Sequence, residues 1–83
     1  MSVDVYIKDN CPYCERAERL LTKRKVAYNR INVTNDQDGF AVMQDRAQGR
    51  NTVPQIFVGE THIGGADDLS MMPRADFMAL IGQ

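Results

Sequence analysis

The chain has 83 residues, 43% hydrophobic and 25% charged, with ten basic and eleven acidic side chains. That is enough for one small core and too apolar for disorder. A net charge of −1 gives no strong pull toward nucleic acid or an anionic membrane. The longest apolar run, Phe77–Ile81, is far shorter than a membrane span. Met1-Ser2-Val3-Asp4 carries neither a basic start nor an apolar stretch, so a cytoplasmic protein is expected. The whole of 1–83 is expected to form one domain.

Val3, Val5 and Ile7 alternate with Asp4, Tyr6 and Lys8, which predicts a strand over 3–8. Asn10-Cys11-Pro12 is a helix start: Asn10 or Cys11 can cap, and Pro12 suits a first turn whose N–H has no partner. Ala17, Leu20 and Leu21 set the apolar face of that helix. Residues 15–25 hold five basic and two acidic side chains, most simply a solvated helix face. A second strand is predicted over 27–33. Asn35 or Asp36 opens a second helix, with Phe40, Met43 and Ala47 facing inward and Gly49 at its end. Val53–Val58 reads as a strand with Pro54 at its start, and Thr61–Ile63 as a short partner after the Gly59-Glu60 turn. Gly64-Gly65 breaks the chain, Asp67 or Asp68 opens a last helical region, and Pro73 splits it. The order β-α-β-α-β-β-α predicts a parallel, right-handed first βαβ unit and an antiparallel final hairpin. One four-stranded mixed sheet flanked by three helices follows, an α/β fold.

Cys11 and Cys14 are the only cysteines. A bridge between them closes too short a loop to stabilise the domain much, so a chemical role is the better account. A thiol at a helix N-terminus meets unpaired N–H groups and the positive end of the helix dipole. Both favour thiolate, the nucleophilic form. Cys11, at the turn, is expected to attack. Cys14, one turn into the helix, is expected to resolve the mixed disulfide. Lys8 is close enough to add positive charge. A zinc site would need four ligands, and His62 is the only further soft candidate; no metal is expected. His62 itself reads as a surface or edge residue, and Met71 and Met72 as packing or loop residues.

Cys11-Pro12-Tyr13-Cys14 after a strand, Thr52-Val53-Pro54 further on, and Gly64-Gly65-Ala66-Asp67-Asp68 beyond a hairpin together resemble the small dithiol glutaredoxins. The resemblance covers essentially the whole chain. It implies a thioredoxin-like fold and a glutathione-dependent thiol–disulfide oxidoreductase with Cys11 and Cys14 as catalytic pair. Glutathione would be the reducing co-substrate, with no tightly bound cofactor. Partners would be disulfide-containing or glutathionylated proteins, and glutathione reductase through glutathione, with the protein a monomer. The resemblance further implies a cis bond before Pro54 and a glutathione groove. Cysteinyl backbone would pair with Val53, and one carboxylate would meet Lys8 and Tyr13. The γ-glutamyl end would meet Asp67 and Asp68, with Thr52, Pro54 and Gly65 along the border. Many relatives hold the glycine carboxylate with a glutamine or arginine early in the second helix. Here that neighbourhood is Asp38-Gly39-Phe40-Ala41, leaving Arg46 and Arg50 as the candidates to replace it.

Overall fold

A computed structural model describes residues 1–82. The elements run β1 (Val3–Ile7), α1 (Pro12–Lys23), β2 (Asn29–Asn32), α2 (Gln37–Arg46), β3 (Gln55–Val58), β4 (Thr61–Gly64), α3 (Ala66–Met71) and α4 (Arg74–Ile81). The strands lie in the order β2-β1-β3-β4. β2 is parallel to β1, whereas β3 is antiparallel to both β1 and β4.

Both faces of this sheet are covered. Val3, Val5, Ile7, Ile56 and Val58 join Cys14, Ala17 and Leu21 of α1, Leu69 of α3 and Phe77 of α4 on one side. Tyr6 and Phe57 join Val33 with Met43 and Ala47 of the α2 region on the other. Tyr6, expected on the polar side of β1, is therefore only 4% exposed. Arg46 closes this second face at its edge. It binds Asp4 Oδ2 at 3.1 Å and Tyr6 Oη at 2.9 Å, and lies over the Phe57 ring at 4.2 Å. The alternation in β1 thus separates two cores rather than a core from solvent.

The helix ends follow local chemistry. Cys11 caps α1, and Pro12 occupies its first turn. At the other end Lys25 takes a left-handed φ of 61°, and the Val26 N–H turns back to the Leu21 carbonyl at 3.0 Å. The Asp36 carboxylate caps α2 by accepting the Gly39 N–H at 2.9 Å.

Two expectations change in detail. The second strand is shorter than 27–33, because Asn29, Arg30 and Asn32 are exposed on a sheet edge with a single strand partner. The last helical region is split at Pro73 as expected, but its two parts count as separate helices, so four helical segments rather than three flank the sheet. Met72 is forced extended, with ψ 120°, by the proline that follows it, and Pro73 begins α4.

Phe77 carries α4 into the core with 0% exposure. Phe77→Ala is expected to lower unfolding free energy by about 3–5 kcal/mol, read as a lower urea midpoint; an unchanged midpoint would mean that α4 does not anchor the fold.

Candidate active site

The site lies where β1 ends and β3 begins. Tyr6 pairs with Gln55, so the loop leaving β1 and the segment entering β3 are neighbours. Lys8, Asp9 and Asn10 turn the chain into α1, with Asn10 at φ 53°. The turn is fastened from β2 and beyond. Asn32 donates to the Asp9 carboxylate at 2.8 Å, and the Asp9 N–H donates to Thr34 Oγ1 at 2.7 Å.

Cys11 follows in extended conformation, and its sulfur accepts the Cys14 N–H at 3.2 Å. The two sulfurs are paired as a disulfide, with Cα atoms 5.2 Å apart. Their environments differ: Cys11 is half-buried at the turn, whereas Cys14 is 2% exposed and packs into the core beneath α1. Across from Cys11, the Val53–Pro54 bond is cis. Val53 packs against both cores, and its carbonyl oxygen lies 3.9 Å from Cys11 Sγ.

From Val53 a groove of about 290 Å³ runs to the start of α3. It is lined by Tyr13, Arg50, Thr52, Val53, Pro54, Gly65, Ala66, Asp67 and Asp68. Tyr13 is 60% exposed along one wall. The backbone bend before α3 places its glycine requirement at Gly64. There φ is 118°, and a Cβ would meet the Asp68 carboxylate at 2.3 Å. Gly65 has room for a Cβ and instead caps α3. Asp68 Oδ2 accepts the Gly65 N–H at 2.8 Å and lies 3.7 Å from Arg50 Nη1. Asp67 points away to Arg16 at 2.9 Å, through an exposed pair of little energetic weight. The first-turn N–H groups of α3 have no carbonyl partner within the helix, and Ala66, Asp67 and Asp68 of that turn line the groove.

Of the residues the resemblance assigned to catalysis or to glutathione, all except Lys8 and the two cysteines line this groove. Lys8 stands on the other side of the turn, with Nζ 4.5 Å from the centre of the Phe40 ring. The aromatic ring on α2 thus holds a cation in place by its π face. The two arginine candidates separate cleanly. Arg46 is committed to Asp4, Tyr6 and the Gly59 carbonyl beside the opposite end of β1, whereas Arg50 lines the groove.

Two residues were not legible as parts of this region. Gln55 is fully buried, and its Nε2 donates to the Thr52 carbonyl oxygen at 3.0 Å. A polar residue inside Val53-Pro54-Gln55-Ile56-Phe57-Val58 was the available signal. His62, expected as a bland edge residue, is half-buried, stacked on Phe57 and 2.7 Å from Gln55 Oε1. Burial pushes its imidazole below the ordinary histidine value, and the charges of Arg50 and Arg46 push the same way, opposed by Asp68. Among the described residues, no three His, Cys, Asp or Glu side chains are grouped to hold a metal ion.

A capped, asymmetric cysteine pair at the end of a central strand, opposite a cis-proline, defines a thiol–disulfide redox site on a thioredoxin-like sheet. The glutaredoxin family pattern matches residues 3–63. Glutaredoxin 3 of Escherichia coli is 42% identical over 71 residues, spanning 82% of this chain and 81% of that protein. The solution structure of glutaredoxin from Brucella melitensis superposes with a TM-score of 0.80 and 38% identity, covering 100% of this chain and 92% of the other. A crystal structure of a buckwheat glutaredoxin–glutathione complex gives a TM-score of 0.78 at 29% identity, covering 96% and 76% of the two chains. The chain belongs to the glutaredoxin family.

The burial difference predicts selective labelling. In reduced protein, iodoacetamide is expected to alkylate Cys11 at least about tenfold faster than Cys14, read by peptide mass spectrometry over time. Equal rates would contradict the assignment of attacking and resolving thiols.

Proposed function

We propose that the protein reduces protein disulfides and glutathione mixed disulfides, using glutathione as the electron donor. The observation that carries this is the placement of Cys11. Its sulfur receives the Cys14 N–H at the start of α1 and faces the Val53 edge, while Cys14 waits one turn deeper.

In the one-thiol route the Cys11 thiolate attacks the glutathione sulfur of a glutathionylated protein. The sulfur–sulfur bond breaks, the protein thiolate leaves, and Cys11 carries glutathione. A second glutathione thiolate attacks that glutathione sulfur, releasing oxidised glutathione and the Cys11 thiolate. In the two-thiol route Cys11 attacks a protein disulfide, and Cys14 attacks Cys11 to release the reduced protein. Two glutathiones then restore the dithiol. Glutathione reductase returns the oxidised glutathione at the expense of NADPH. No net proton or electron is left over in either cycle.

The groove suggests how glutathione lies. Its cysteinyl backbone pairs with Val53 as a short strand addition. The γ-glutamyl carboxylate takes the N–H groups of Asp67 and Asp68, the Asp68 carboxylate accepts from the γ-glutamyl ammonium, and Thr52, Pro54 and Gly65 form the border. Arg50 adds a positive charge beside Asp68. Lys8, steadied by Phe40, and Tyr13 receive the other carboxylate. In this reading the protein acts as one domain and as a monomer, in a reducing cytoplasm and without a tightly held cofactor. No helix among the described residues is long and apolar enough to cross a membrane.

The test follows NADPH consumption with glutathione, glutathione reductase and a glutathionylated peptide. Wild type and Cys14→Ser should both turn over, whereas Cys11→Ser should lose at least about 10³-fold in rate, the scale set by removing an enzyme's nucleophile. With an intramolecular protein disulfide as substrate, Cys14→Ser should fail. Turnover by Cys11→Ser, or none by wild type, would overturn the proposal.

A further inference from the structure

Gln55 is the one polar residue fully buried among the described residues, at 0% exposure, and it sits in β3 against the α2 face of the sheet. Its amide is fully used. Nε2 donates to the Thr52 carbonyl at 3.0 Å and to Thr52 Oγ1 at 3.2 Å. A carbonyl oxygen only accepts, so the amide nitrogen must face Thr52 and Oε1 must face the other way. The atom on that side is His62 Nε2, at 2.7 Å. With an acceptor opposite it, His62 must carry its proton on Nε2. The chain of donation therefore has one direction, from His62 to Gln55 to Thr52.

The histidine is built in rather than draped over the surface. β4 bulges at Ile63, so that His62 stands opposite Phe57, and the two rings stack 4.8 Å apart with planes 22° from parallel. Burial and the nearby Arg50 and Arg46 charges favour the neutral ring. At the other end of the chain, Thr52 immediately precedes Val53, the residue facing Cys11. Removing the His62 donor would leave a buried amide oxygen unpaired. Gln55 would then rotate or admit water, and its grip on Thr52 would loosen.

We propose that His62 is a positioning residue, acting through Gln55 to hold the Thr52–Val53 edge in the arrangement that receives the cysteinyl part of glutathione. The role rests on the glutathione-dependent function proposed above. It predicts an effect on substrate capture without an effect on the nucleophile, because the relay touches Thr52 and not Cys11.

The test compares His62→Phe, which keeps a ring on Phe57 but has no donor, with His62→Gln, whose amide donor reaches the place of Nε2. His62→Phe should lower kcat/KM for a glutathionylated peptide about three- to tenfold, the range expected for losing one such hydrogen bond. Its Cys11 alkylation rate should stay that of wild type, and His62→Gln should recover most of the loss. In wild type, ¹⁵N spectra of the imidazole should show the proton on Nε2. Wild-type kcat/KM in His62→Phe, or a proton on Nδ1, would overturn the inference. A kcat/KM loss matched by an equal loss in Cys11 alkylation would also overturn it, since the nucleophile would then be affected. If wild type itself fails to turn over with glutathione, the function proposed above fails and takes this role with it. If wild type turns over and His62→Phe matches it, only the positioning role falls.

Discussion

The pairing of Tyr6 with Gln55 is the constraint on which the site depends. β1 and β3 are antiparallel and central, so the exit of one and the entry of the other share one end of the sheet. The exit carries Lys8 and Cys11; the entry carries Thr52, Val53 and Pro54. Residues more than forty positions apart in sequence meet here because of register. A slip of one residue would turn Tyr6 and Gln55 toward the opposite core and separate the cysteine from the Val53 backbone. Both cores resist such a slip. Val3, Val5 and Ile7 fill one, while Tyr6 and Phe57 fill the other.

Given that register, α1 performs two tasks with the same residues. Its buried face, Cys14, Ala17 and Leu21, holds the helix on the sheet. Its first turn presents the Cys14 N–H to the Cys11 sulfur. Packing therefore buries Cys14 and leaves Cys11 at the rim, which divides the work between two chemically identical thiols. In the proposed mechanism the difference between attacking and resolving cysteine is one of place in the helix.

The motifs were legible because each has a local physical cause. Pro12 belongs in a first turn, Pro54 at a strand start, and Pro73 at a break between helices. What depended on facing was not legible. Arg46 and Arg50 are equally basic in sequence, but one closes the α2 face against Asp4 and Tyr6 while the other lines the groove. Tyr6 looked solvent-facing because the period of a strand cannot reveal that both its sides are covered. Phe40 read as a core residue, and nothing local showed Lys8 lying over its ring. His62 offered no partner in sequence. Its partner, Gln55, is seven residues away and reached only through the β3–β4 hairpin.

Charge in and around the groove is arranged by neighbours rather than by excess. Arg50 stands beside Asp68, Arg16 beside Asp67, and Lys8 over Phe40. A ligand carrying two carboxylates and an ammonium is the chemistry proposed for such a surface. The most direct measurement is an amide chemical-shift map of the Cys14→Ser protein carrying glutathione on Cys11, compared with the same protein reduced. The account predicts large changes at Val53, Asp67 and Asp68 as well as beside Cys11. Changes confined to residues 8–14 would show the tripeptide tethered but not held, and would contradict the groove assignment.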